Sequence, residues 1–137
     1  MKKNQLFFLI LFIGISSCLK AQSNDSIKYF PLVVQFQSVC CGVPNDSPLK
    51  KAINYFKKIN KLKEITATKV SPMGREGEYW ISFSLKELNR KQKTSFIRKM
   101  KITTAKMKDR GYVTCEENVK AKITELPSSV QFEEISF

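Results

Sequence analysis

Alternating apolar and polar positions predict four strands along the chain. Over residues 30–40 the even-numbered side chains are largely apolar and the odd-numbered ones mixed, so one face of this strand should point to a core. Similar patterns predict strands over 65–70, 78–85 and 112–124. The second and third strands are separated by a loop rich in glycine and proline, which indicates a hairpin.

Apolar residues at helical spacing predict two helices. The first should begin at Asp46 or Ser47, either of which can cap it, with Pro48 in the first turn. The second is predicted over 90–110, with a capping box formed by Asn89 and Gln92 and a stop at Gly111. The stripe of the first helix consists of Leu49, Ala52, Ile53, Phe56 and Ile59.

The order β-α-β-β-α-β predicts an α+β fold of the ferredoxin-like type. Right-handed crossovers would place both helices on one face of a four-stranded antiparallel sheet with strand order 4-1-3-2. The tail, 127–137, alternates weakly and is predicted either to add a short edge strand or to stay loose. The predicted core consists of Phe36, Ile53, Phe56, Ile81, Phe83, Phe96 and Met100.

The N-terminal residues predict export. Residues 1–21 combine a basic start, a short apolar run and small residues, which is typical of a secretory signal peptide. Cleavage after Ala21 would give a periplasmic or secreted protein, whereas a lipobox ending at Cys18 would give a lipid anchor on that cysteine. A flexible leader (22–28) and a single domain (29–126) are predicted to follow.

Positive charge is concentrated on the predicted helices. The chain has a formal net charge of +12, and 15 of its 24 lysines and arginines fall in 50–63 and 90–110. Such a field can bind an anionic component of the cell envelope, while export disfavours nucleic acid as the partner. The candidate anion-binding residues are Lys50, Lys57, Lys58, Lys91, Arg98 and Lys101.

Three cysteines remain in the predicted mature domain. In an oxidising compartment we expect Cys40 to form a disulfide with Cys115, because both lie on core-facing sides of neighbouring strands. Cys41 would then be a spare thiol. The alternative is that Cys40, Cys41 and Cys115 together bind a soft metal such as Cu(I), or act in thiol exchange.

The sheet face without helices offers a third candidate surface. Gln35, Gln37, Trp80 and Ser82 should lie there, where they can contact a protein partner or a second copy of the chain. The chain has no histidine, and no nucleophile has an obvious base, so no enzymatic activity and no cofactor are expected.

The stretches Phe36–Pro44 (FQSVCCGVP) and Gly74–Glu78 (GREGE) resemble those of small exported bacterial proteins of unknown function. The resemblance covers most of the mature chain and implies no activity. The sequence therefore predicts a non-enzymatic binding or assembly module of the envelope, with the thiol or copper domain as the alternative.

Overall fold

The computed structural model describes residues 26–137, which form one antiparallel sheet and two helices. The predicted signal peptide, with Cys18, and most of the predicted leader lie outside these residues. No helix between residues 26 and 137 has the length and apolar character needed to span a bilayer. The elements are β1 (Ile27–Ser38), α1 (Ser47–Ile59), β2 (Thr66–Ser71), β3 (Tyr79–Phe83), α2 (Arg90–Thr104), β4 (Gly111–Lys122), a 3-10 turn (Ile123–Glu125) and β5 (Gln131–Ser136).

The sheet has five strands in the order β4-β1-β3-β2-β5. The first four strands take the predicted order. The tail forms β5, which pairs with β2 from Thr66↔Ser136 to Ser71↔Gln131 and makes the second edge of the sheet. At the other end of the domain, Ile27 belongs to β1 and pairs with Lys122, so β1 begins inside the predicted leader.

Both helices pack on one face of the sheet and enclose the core. Aromatic rings connect the layers: Phe96 of α2 lies 5.1 Å from Phe56 of α1 and 5.3 Å from Phe83 of β3, both edge to face. Phe36 stacks on Tyr79 at 4.4 Å. All seven residues of the predicted core are buried in this cluster, so the prediction of the core is confirmed.

Helix α2 begins as predicted and ends six residues early. Asn89 and Gln92 form the capping box. The helix stops at Thr104, and the prediction that it continues to residue 110 is wrong. Lys106 and Met107 donate their amides to carbonyls only three residues back, which tightens the backbone into turns and ends the α-helical pattern.

Gly111 is the first residue of β4 rather than a helix stop. A Cβ at this position would overlap the carbonyl oxygen of Gln37 in the paired strand β1. The residue is therefore glycine because two backbones approach closely there, which is one of the common reasons for glycine in a strand.

The pairing of β1 with β4 differs from the predicted register by six residues. Val34 lies opposite Cys115 and Phe36 opposite Val113, whereas the prediction set Cys40 opposite Cys115. A shift by an even number keeps every side chain on its predicted face, so the core is unchanged. Cys40 lies beyond the end of β1, and Ser38, the last residue of that strand, is already roughly 13 Å along it from Val34, which faces Cys115, at about 3.3 Å per residue.

The residues of β1 before Pro31 and those of β4 after Asn118 form a two-stranded ribbon that bends away from the rest of the sheet. Pro31 has no amide to donate, and the pairing of β1 with β3 begins only at Leu32. Asn118, on the opposite strand at this rung, has a positive φ of 58°. The resulting two-stranded ribbon brings Lys28 over the face that carries no helices, with its Nζ 3.8 Å from the ring of Phe132 in β5.

Candidate functional site

The outer side of the two helices, hereafter the helix layer, carries positive charge only. Helices α1 and α2 contain ten lysines and arginines and no aspartate or glutamate. The acidic residues of the described part lie outside these two helices. This separation gives the helix layer a positive field, which an even mixture of charges over the surface would not produce. The ten cations are Lys50, Lys51, Lys57, Lys58, Arg90, Lys91, Lys93, Arg98, Lys99 and Lys101.

Helical geometry points the central cations of α2 directly away from the sheet. The buried stripe of α2 is Phe96, Met100 and Thr104. At 100° per residue, Lys91 and Arg98 lie within about 20° of each other and on the opposite side of the helix from that stripe. Both side chains are exposed. They therefore form the centre of the surface that a partner would meet.

Both helices also carry exposed apolar side chains. Tyr55 of α1 is 60% exposed and Ile102 of α2 is 49% exposed. Ile59 of α1 is 59% exposed, so its prediction as part of the buried stripe is wrong. The Nζ of Lys99 lies 5.6 Å from the centre of the Tyr55 ring, so a cation of α2 and an exposed ring of α1 lie side by side. The helix layer thus combines cations with apolar groups that no described residue covers.

Two of the predicted anion-binding residues have acidic partners. Lys50 lies 3.0 Å from Asp46, and Lys101 lies 2.5 Å from Glu117 on β4. Among residues 26–137, the other eight helix cations form no ion pair with an acidic side chain. Their charge is available to an external anion. The other predicted anion-binding residues, Lys57, Lys58, Lys91 and Arg98, are among these eight, and their role in binding stays a prediction.

The three thiols are not brought together. Cys40 and Cys41 are exposed in the loop between β1 and α1, and Cys115 is half-buried on β4. All three are free, so the predicted Cys40–Cys115 disulfide is wrong, and its cause is the six-residue difference in register. Within the described residues, no group of three cysteine or acidic side chains converges on a possible metal position. The set of three thiolates required by the copper alternative is therefore not assembled in this fold.

We expect the thiols to react at two different rates. Burial raises the pKa of Cys115 to about 11, although nearby Lys101 acts in the opposite direction. At pH 8 roughly one in a thousand molecules would then carry its thiolate, the reactive form. Titration of the folded protein with a chromogenic disulfide should show two rapid thiols and one slow thiol.

Replacing the cysteines one site at a time assigns those rates. Cys115→Ser should remove only the slow phase, and the double variant Cys40→Ser/Cys41→Ser only the rapid phase. Three equal rates in the folded protein would contradict the burial of Cys115.

The sheet face without helices is less accessible than predicted. Gln35 and Ser82 are 9% and 6% exposed, so both are buried, while Gln37 and Trp80 are half-buried. Gln37 donates a hydrogen bond from Nε2 to Oε1 of Gln35 at 3.0 Å. Two of the four predicted residues are therefore buried and two half-buried, and their role in binding stays a prediction.

This face instead contains a groove that the sequence did not reveal. The groove has a volume of about 660 Å³ and runs between the first residues of β1 and the strands β3, β2 and β5. We call it the hydroxyl groove because Thr66, Thr68, Ser82, Ser84 and Ser136 line its floor. The threonines and serines on the non-core faces of β2 and β3 were its only signal in the sequence. Where the tail and the ribbon would lie depended on the tertiary fold.

A polar cluster at the start of α1 is internally satisfied. The Tyr79 hydroxyl donates to Asp46 Oδ2 at 3.3 Å, and Lys50 pairs with the same carboxylate. Burial, and then the charge and hydrogen bond of Asp46, raise the pKa of Tyr79. The phenol therefore stays protonated at neutral pH and acts as a hydrogen-bond donor, which gives this cluster a structural role.

Comparison with known proteins adds no relative from which a function can be inferred. No family model matches the chain, and no curated protein or solved structure matches it. The candidate sites of this chain are therefore the helix layer, the thiols and the hydroxyl groove.

Proposed function

We propose that the domain is a non-enzymatic binding module that attaches to an anionic lipid surface through its helix layer. The observation that carries this proposal is the complete absence of acidic residues from two helices that contain ten cations. Charges that serve only solubility are usually mixed in sign over a surface. Here the two helices themselves contain no negative charge, and only Lys50 and Lys101 have acidic partners from outside them.

The exposed apolar side chains favour a lipid surface over a soluble acidic polymer. Tyr55, Ile59 and Ile102 lie among the cations, where they would remain in water if the partner were a polymer. At a membrane, an interfacial element places apolar groups at the boundary between headgroups and acyl chains and its cations at the headgroups. The helix layer provides both kinds of group on one surface.

The energetic scale of this attachment is set by the number of cations that reach the surface. Each lysine or arginine near an anionic leaflet contributes about 1 kcal/mol, and the contribution falls off within a Debye length. Four or five such contacts, with some apolar burial, are sufficient for reversible binding at moderate salt. We therefore expect binding to weaken steeply as the salt concentration rises.

Vesicle binding tests the proposal. The protein should sediment with vesicles of phosphatidylcholine that contain phosphatidylglycerol and should remain in solution with phosphatidylcholine alone. Lys91→Gln/Arg98→Gln removes the two outward-facing cations of α2, which should cost about 2 kcal/mol, or roughly a 30-fold loss of affinity.

The matched control removes one lysine and one arginine elsewhere. Arg75, in the loop between β2 and β3, and Lys120, on β4, are exposed and outside the helix layer. Arg75→Gln/Lys120→Gln should bind the anionic vesicles nearly as well as the unmodified protein. Equal losses in the two double variants would show that only net charge matters, and binding to a soluble polyanion without binding to vesicles would exclude the lipid surface.

The proposed setting is the bacterial envelope. We propose that residues 1–21 direct export, giving either a periplasmic or secreted protein or one anchored through Cys18. A lipid anchor and a basic surface would be complementary, because stable attachment commonly requires two signals. We further propose that the fold is ferredoxin-like, with β5 added beside β2; the strand order β4-β1-β3-β2 supports this assignment.

A further inference from the structure

The floor of the hydroxyl groove is a regular array of polar side chains on three adjacent strands. Thr68 lies between Ser82 of β3 and Glu134 of β5 on one rung. Thr66 pairs with Ser136 on the next rung, and its hydroxyl lies 3.5 Å from that of Ser84. Strands are about 4.8 Å apart and alternate residues about 6.7 Å apart, so the array matches the size of a sugar ring.

Some of these hydroxyls have partners and others do not. Thr66 donates to Glu87, and Ser136 donates to Glu64 at 3.4 Å. Thr68 and Ser82, by contrast, form no side-chain hydrogen bond with any residue between 26 and 137. The fold thus places two hydroxyls that have no protein partner among these residues side by side at the centre of the groove, beside the Glu134 carboxylate.

The ligand chemistry follows from what these groups can donate and accept. A hydroxyl both donates and accepts, whereas a carboxylate only accepts. A ligand rich in hydroxyls satisfies both, and a pair of neighbouring hydroxyls can donate together to the two oxygens of Glu134. Glu134 shares the groove with Lys28 and Lys86, so the lining is of mixed charge and the central hydroxyls, rather than a single charge, would select the ligand. We propose that the hydroxyl groove binds a short neutral oligosaccharide.

The walls of the groove are consistent with such a ligand. Tyr29, on the bent ribbon, lines the groove and is 53% exposed, with its hydroxyl held by Asn118. Its ring offers an apolar surface to the flat face of a sugar. Lys86 lines the same groove and can donate to a ring or hydroxyl oxygen. A volume of about 660 Å³ is within the range of small-molecule sites, which is about 300–1,000 Å³.

The test uses an array of immobilised neutral and acidic oligosaccharides, followed by titration with the best neutral trisaccharide. We expect selective binding of neutral glycans. Thr68→Val/Ser82→Ala removes the two unpartnered hydroxyls with almost no change of shape, and it should weaken binding at least tenfold. Thr94→Val/Ser95→Ala is the matched control, because it removes one threonine and one serine hydroxyl from the exposed side of α2.

The outcomes separate this site from the helix layer. The groove variant should retain its melting temperature and its binding to anionic vesicles, while Lys91→Gln/Arg98→Gln should retain glycan binding. Failure of every neutral glycan to bind, or equal loss of binding in the groove variant and its control, would overturn the proposal. Binding of acidic glycans alone would also overturn it, because that result assigns recognition to cations rather than to the hydroxyls.

Discussion

Replacing Phe83 with alanine should leave the domain unfolded or close to unfolding. Phe83 is fully buried at the end of β3 and contacts rings on two sides, with Phe96 at 5.3 Å and Phe137 at 6.1 Å. Truncation of a buried phenylalanine costs about 3–5 kcal/mol, whereas a domain of this size is stable by about 5–15 kcal/mol. Chemical denaturation should therefore show a midpoint that is strongly lowered or a transition that is lost.

Tyr55→Ala is the control for this experiment because it truncates an aromatic ring in the same domain. Tyr55 is 60% exposed on α1, and its truncation should change the free energy of unfolding by less than about 1 kcal/mol. Similar losses in the two variants would mean that Phe83 is not enclosed between the helices and the sheet.

Gly111→Ala should destabilise the domain although it adds only one methyl group. The added Cβ would overlap the carbonyl oxygen of Gln37, and it would lie 3.1 Å from Cδ of Pro44. To relieve this overlap, β4 must move away from β1 at the rung where Ser38 pairs with Gly111. Overpacking of this kind costs about 1–3 kcal/mol, and thermal or chemical denaturation measures the loss.

Gly74→Ala adds the same methyl group in a different setting. The three atoms nearest its Cβ all belong to the exposed end of the Glu78 side chain, which can rotate away at the cost of one exposed hydrogen bond from the Glu76 amide. This variant should stay within about 0.5 kcal/mol of the unmodified protein. If Gly111→Ala were equally harmless, the close approach of β1 and β4 could not be what requires glycine there.

Local patterns were sufficient to predict the core and the order of the first four strands. Side-chain alternation set the buried face of each strand, and the apolar stripes set the buried side of each helix, so that Phe36, Phe83 and Phe96 were all assigned correctly. These signals depend on neighbours in the sequence. They are therefore available before the fold is known.

The same patterns could not predict the register in which β1 pairs with β4. Alternation has a period of two, so it distinguishes odd shifts from even shifts but cannot choose between two even ones. The correct register is set by contacts that the sequence does not display, including the approach of Gly111 to Gln37 and the bend at Pro31. The error of six residues is the reason that the predicted disulfide failed.

The two candidate binding surfaces also differ in whether local sequence patterns predict them. The helix layer was predictable because charge and helical spacing are both local, and Lys91 and Arg98 lie where the spacing placed them. The hydroxyl groove was not predictable, since it forms only where the tail joins β2 and the ribbon bends over the opposite face. Its floor combines side chains of the β2–β3 hairpin with those of β5, which comes much later in the chain.

The pairing of β1 with β4 also has a consequence for how the domain folds. Ile27 pairs with Lys122, so the pairing of β1 is complete only when the first and the last long strands have met. Closing so long a loop costs conformational entropy before the strand contacts that offset this cost have formed. Proteins rich in such long-range contacts therefore fold slowly. The hairpin of β2 and β3 can form locally, but β1 gains its second neighbour only after most of the chain has been made. We therefore expect the chain to fold slowly for its size. The edges of β1 and of the hairpin would stay exposed in the partly folded states that precede the pairing of β1 with β4.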